Sequence, residues 1–182
     1  FYTGVTEGNI SSDRLIAMMN VEKDELVIEQ KGIYSVEKFL IARRLMYWQV
    51  YLHKTGLVAE NMLVKVLQRA KELTKNGVEV SATKAFQYFL NNQISAENFS
   101  DETLELFSKL DDYDVLASIK QWMTDDDKVL STLSTMLINR RLLKIEIQNK
   151  PFTEEQLIKK RDKYQQKLNF KKSEVSYFVF ND

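Results

Sequence analysis

The sequence predicts a mainly α fold (α+β by class): a helical bundle around a long helix over residues 36–73, with a small antiparallel β element near the C-terminus. Three observations carry this. One proline and five glycines in 182 residues leave few breakers. Apolar residues recur at helical spacing through most of the chain. Strict alternation is confined to Leu143, Ile145 and Ile147 against Lys144, Glu146 and Gln148.

In chain order, residues 1–20 read as a loop leading into a short helix over 12–19. Residues 24–30 alternate loosely up to the Lys31-Gly32 turn signal, which suggests a short hairpin or extended arm. Ser35 suits an N-cap and Glu37 a first turn. A straight helix over 36–73 would span roughly 57 Å at 1.5 Å per residue. A bend or break is therefore expected near Thr55-Gly56, and Asn76-Gly77 ends the element.

Residues 81–91 form an amphipathic helix with Ala85, Phe86, Phe89 and Leu90 on its apolar side. Ser100-Asp101-Glu102 opens the next, which is expected to bury Leu104, Phe107 and Leu110. Residues 112–123 and 127–139 read as two more helices. Pro151 and Thr153 precede a helix over 154–168, and the apolar run 175–180 is a candidate strand to pair with 142–148. The domain reading is a helical region over 1–140 and a β-α-β element over 141–182.

Composition excludes several function classes. One histidine, His53, and no cysteine rule out a histidine- or cysteine-based metal site and a disulfide framework within this chain. Lys plus Arg (26) balances Asp plus Glu (26), so no net field favours DNA or an anionic membrane. No apolar run approaches the roughly 20 residues of a membrane span. The expected location is cytoplasmic. The start, Phe1-Tyr2-Thr3-Gly4, reads as a cut within a longer protein.

The most informative stretch runs from Phe39 to Thr55. On a helix at 100° per residue, Val36, Arg43, Tyr47, Val50 and Lys54 fall within about 60° of one another, with Tyr51 at the edge. Arginine's planar fork suits a phosphate, lysine adds a point charge, and a tyrosine beside them suits stacking on a sugar or base. Against this, Arg43 and Lys54 have the ordinary role of cations that snorkel from a core edge or pair with carboxylates. His53 has two readings, an accessory acid or a packed or solvated side chain. Arg14 is either an anion contact or plain surface. Arg140, Arg141 and Lys144 form a basic patch that would equally complement a helix dipole. The clusters Asp111-Asp112-Tyr113-Asp114 and Asp125-Asp126-Asp127 lack calcium-loop spacing and read as helix caps.

These residues also carry a resemblance. Phe1-Tyr-Thr-Gly-Val, then Ser11-Ser-Asp-Arg-Leu-Ile, then Phe39 to Thr55 closing on Tyr51-Leu-His-Lys-Thr55, resemble the HD-domain phosphohydrolases. The narrower likeness is to dGTPases and deoxynucleoside triphosphate triphosphohydrolases. It extends more weakly to Leu110-Asp-Asp and Asn139-Arg-Arg-Leu-Leu-Lys144.

The family's metal ligands, a histidine, a histidine–aspartate pair and a later aspartate, would precede Phe1. The resemblance therefore implies the C-terminal part of a longer enzyme, with a divalent metal bound in the parent and no cofactor bound here. By position, Arg43 matches the family's triphosphate-gripping arginine and Tyr51 the tyrosine stacked on the deoxyribose. Arg14, Lys54, Arg140 and Lys144 match residues that hold an effector nucleotide at a subunit interface of regulated members. Implied partners are a deoxynucleoside triphosphate-like nucleotide and further copies in a homo-oligomer. Leu52 departs from the family's ribonucleotide-excluding glutamine, and Tyr47 and Trp48 from its polar or basic residues. The rival reading is a non-catalytic helical interaction module using Met46, Tyr47, Trp48 and Tyr51 as an aromatic surface.

Overall fold

The computed structural model describes residues 9–181, apart from the side chains of Lys167 and Leu168. Phe1 to Val5, the first part of the family resemblance, lies outside the described residues. The chain divides into two compact units, Phe1–Leu57 and Val58–Asp182. The fold is mainly helical with one small two-stranded antiparallel sheet, as the sequence predicts. The sheet, however, lies elsewhere in the chain.

In the first unit, α1 (Ser12–Ala17) leads into β1 (Met19–Glu22) and β2 (Glu25–Ile28). The strands pair in register, Met19 with Ile28 and Val21 with Leu26. Lys23 and Asp24 link them with φ of 53° and 64°, the left-handed pair that a type I′ two-residue loop requires. Neither is glycine or asparagine, so this turn carries no local signal, and the hairpin expected from residues 24–30 begins earlier, at Met19.

A 3-10 turn, Gln30–Gly32, feeds α2 (Ile33–Met46). Gly32 therefore takes the N-cap position expected of Ser35, and no side chain caps this helix. A Cβ on Gly32 would lie 2.8 Å from Ile28 Cγ2 and 3.1 Å from Met18 Sδ, so the hairpin closes on α2 against a bare backbone.

The long helix is broken near Thr55-Gly56, as expected, with the break itself at Leu52-His53. After α2 the chain widens into a π-helical turn, Tyr47–Tyr51, closed by Leu52 N–H donating to Tyr47 O at 2.8 Å. Leu52 (φ −95°, ψ 16°) leaves the helix, and α3 (Lys54–Lys75) restarts at once. Gly56 sits in the first turn of α3, where its amide bonds to His53 O at 2.8 Å. The widened turn, rather than a glycine, ends the helix.

The second unit holds the core. Along α3, Met62, Val66, Ala70 and Leu73 are buried on one face. Around them pack α4 (Lys84–Asn91), α5 (Asp101–Ser108), α6 (Asp112–Trp122), α7 (Lys128–Ile138), α8 (Glu154–Leu168) and α9 (Lys172–Val175). Phe86, Leu90, Ile119, Trp122, Leu130, Leu133, Phe170 and Phe178 are among the other members of the cluster. Trp122 satisfies its indole N–H on Ser81 O at 2.7 Å. Lys71 seats its ammonium on the Phe89, Leu90 and Asn92 carbonyls at 2.7, 2.9 and 2.7 Å, capping the end of α4.

The acidic clusters cap as expected. Asp111 forms a capping box with Asp114 at α6, and Asp127 accepts from Leu130 N–H at α7. Ser100 caps α5, but that helix does not bury Leu104 or Phe107, both of which are exposed. Its inward residue is Thr103, bonded to Tyr88 Oη at 2.8 Å. Leu110 does pack against the core.

The β element expected at 142–148 and 175–180 does not form, so the β-α-β reading of 141–182 is replaced by a helical one. Residues 142–148 take no regular structure, yet Leu142 and Leu143 pack on the core. Their alternation records one-sided packing of an irregular segment, not a ladder. The 175–180 run instead leaves α9 in a tight turn, with Phe178 and Val179 amides both bonded to Val175 O at 3.0 Å. Burial of Val175, Phe178 and Val179 accounts for its apolar composition.

Candidate functional site

The first unit presents a row of side chains across the junction of α2 and the π turn. Arg43, in the last turn of α2, places its guanidinium 5.4 Å from the Tyr47 ring centroid. Tyr47 meets Tyr51 edge-on, with centroids 5.2 Å apart and planes at 63°. Arg43, Tyr47 and Tyr51 thus form a continuous cation–aromatic–aromatic ladder. All three are exposed, and among the described residues Arg43 forms no ion pair with a carboxylate. An exposed guanidinium without a carboxylate partner keeps N–H donors available for an oxyanion. Beside it, Arg44 stacks on Trp48 at 4.4 Å.

His53 occupies the break between the two helices. Its Nδ1 accepts the Thr55 N–H at 3.3 Å, so it caps the start of α3. Lys54 follows as the first residue of α3 and is exposed. Arg14 is exposed on α1, also in the first unit. Arg140 and Lys144 belong to the second unit. Arg140 takes the left-handed position after α7 (φ 54°), and its amide bonds to Leu137 O at 3.1 Å. The structure thus brings Arg43 and Tyr51 together through Tyr47, and distributes the four effector candidates over both units.

Among the described residues no three His, Cys, Asp or Glu side chains converge as a metal site. The strongest charged cluster is structural: Arg69 bonds Asp127 and Glu72, and Tyr177 bonds Glu72 at 2.6 Å. No helix among the described residues is long and apolar enough to cross a membrane.

Two features escaped the sequence reading. Tyr47 shares the predicted stripe with Arg43, but its role as the contact between Arg43 and Tyr51 was not read, although a spacing of four from each signals contact on a helix. The π turn has no sequence signal at all.

Residues 10–88 match the family described as the HD associated region. The uncharacterized protein YwfO of Bacillus subtilis is 35% identical over 143 residues, covering 78% of this chain and 31% of that protein. The MG461 homolog of Mycoplasma pneumoniae is 30% identical over 154 residues, covering 81% of this chain and 36% of that one. This chain therefore spans about a third of the length of these relatives. A crystal structure of a phosphohydrolase from Bacteroides thetaiotaomicron matches with a TM-score of 0.94 and 50% identity, over 97% of this chain and 44% of that one. Residues 10–88, which hold the ladder, thus match the HD associated region, and together with the likeness to a phosphohydrolase of solved structure this supports a relationship to the HD-domain phosphohydrolases.

Proposed function

We propose that this chain is the C-terminal part of a metal-dependent HD-type nucleotide phosphohydrolase of the dGTPase and deoxynucleoside triphosphate triphosphohydrolase branch. It supplies the substrate-phosphate contact. The observation that carries the reading is the Arg43–Tyr47–Tyr51 ladder, set within the matched HD associated region. Arg43 offers two parallel N–H donors to a phosphate, and Tyr51 offers a ring face to the sugar.

The metal centre that the resemblance implies does not fit the residues of this chain, which has one histidine and, among the described residues, no converging ligand set. In this reading the centre belongs to the remaining part of the enzyme. Arg14, Lys54, Arg140 and Lys144 are proposed to hold an effector nucleotide at an interface between copies in a homo-oligomer.

The test is Arg43→Ala in the full-length enzyme, assayed against the four deoxynucleoside triphosphates. A fall in kcat/KM of tenfold or more is expected, the loss of one charge-assisted bidentate contact at roughly 1.5–3 kcal/mol. An unchanged kcat/KM overturns the assignment of Arg43.

A further inference from the structure

We infer that Tyr47 is a positioning residue for this site, holding the Arg43 guanidinium and the Tyr51 ring in one fixed arrangement. The inference rests on the reading of Arg43 and Tyr51 as substrate contacts. Tyr47 itself is assigned no contact with substrate.

Three observations support it. Tyr47 touches both residues, at 5.4 Å to the Arg43 Cζ and 5.2 Å to the Tyr51 ring. It also opens the π turn, and its carbonyl accepts the bond from Leu52 N–H, at 2.8 Å, that closes that turn. A π turn is a rare helical form that recurs at functional sites. Finally, Arg43 and Tyr51 are both exposed and would otherwise sample several rotamers. A ring between them removes that freedom before the ligand arrives, which is preorganisation.

The neighbouring Arg44–Trp48 pair supplies an internal control. It has the same spacing and a closer contact, 4.4 Å, but belongs to no such ladder.

The experiment compares Tyr47→Leu, Tyr47→Phe, Trp48→Leu and Arg43→Ala in the full-length enzyme. The probe is whichever of the four deoxynucleoside triphosphates it hydrolyses fastest. Tyr47→Leu is expected to raise KM roughly 2- to 5-fold, the size of one exposed cation–π contact, with kcat held. Tyr47→Phe, which keeps the ring, restores the wild-type KM, and Trp48→Leu does not change it. A ligand-free readout runs in parallel. The Arg43 Nε–H resonance is ring-current shifted in wild type and Tyr47→Phe, and loses that shift in Tyr47→Leu.

A normal KM in Tyr47→Leu alongside a raised KM in Arg43→Ala overturns the role of Tyr47 and leaves the site standing. Equal damage from Tyr47→Phe and Tyr47→Leu overturns positioning by the ring. A normal KM in Arg43→Ala, or no hydrolysis of any of the four nucleotides, removes the site reading and the inference with it.

Discussion

Arg69 and Asp127 meet fork to fork, Nε to Oδ1 at 3.0 Å and Nη2 to Oδ2 at 2.6 Å, which ties the middle of α3 to the start of α7. Both side chains are largely buried, and the same carboxylate accepts the Leu130 N–H that begins α7. Asp127→Ala removes the partner of a buried guanidinium and a helix cap together. It is expected to lower the unfolding free energy by about 3 kcal/mol in chemical denaturation. A loss below about 1 kcal/mol would show that the pair is not coupled to folding.

The same carboxylate makes acid stability measurable. Burial pushes the Asp127 carboxyl up, but the hydrogen bond from Arg69 and those from the α7 amides outweigh it, leaving the group below its ordinary value of 3.8. Glu72 is likewise held down, first by the Tyr177 hydroxyl and then by Arg69. Groups depressed on folding stabilise the native state above their unfolded pKa, and that contribution fades as pH falls through the folded one. Stability should therefore drop below about pH 4. Asp127→Asn should show a shallower drop in a pH series of denaturation midpoints.

Tyr177 sends the opposite signal at high pH. Burial, and then the hydrogen bond to Glu72, push its phenol up to about 12 from 10.0. A raised acid is favoured in its neutral form by folding, so its contribution is intact below pH 10 and is lost as pH rises through 12. Tyr177→Phe should remove that alkaline step while lowering stability at neutral pH by about 1 kcal/mol. The difference in phenolate absorbance between wild type and Tyr177→Phe, titrated with pH, isolates this group from the other tyrosines.

Ser134 is fully buried in α7, and its hydroxyl finds no hydrogen-bond partner among the described residues. An unsatisfied buried hydroxyl costs roughly 1–3 kcal/mol of desolvation. Ser134→Ala is expected to raise the melting temperature, with a gain of about 1 kcal/mol. A lower melting temperature would mean that the hydroxyl is satisfied.

Gly32 is needed for space, not for its backbone angles, since its φ is −86°. Gly32→Ala drives a methyl into Ile28 and Met18 and is expected to loosen the hairpin from α2. Faster amide hydrogen exchange across Met19–Glu22 and Glu25–Ile28 would report it; unchanged protection would refute the clash.

Periodicity made the helices and their caps legible, because Ser100, Asp111, Asp127 and Thr153 are local signals that act through local bonds. Three features were not legible. The alternation at 142–148 is one-sided packing, which a sequence cannot tell from pairing. The hairpin was expected around 24–30, but its turn at Lys23-Asp24 was not, because that loop takes left-handed angles without glycine. The π turn hid because it changes only which carbonyl each amide selects. At the candidate site, Arg43 and Tyr51 were readable as a pair by spacing and resemblance. Spacing also put Tyr47 on their stripe, but the contacts of its ring with both side chains depend on rotamers that spacing does not give.

The two tryptophans make the molecule its own spectroscope. Trp48, 60% exposed and stacked on Arg44, lies in the first unit; Trp122, 1% exposed with its indole bonded to Ser81, lies in the second. Trp48 should emit at long wavelength and be quenched by iodide, while Trp122 should emit in the blue and resist quenching. Red-edge and blue-edge emission therefore report on separate units without any label. A ligand that settles on the Arg43 ladder would change the red component and leave the blue one alone.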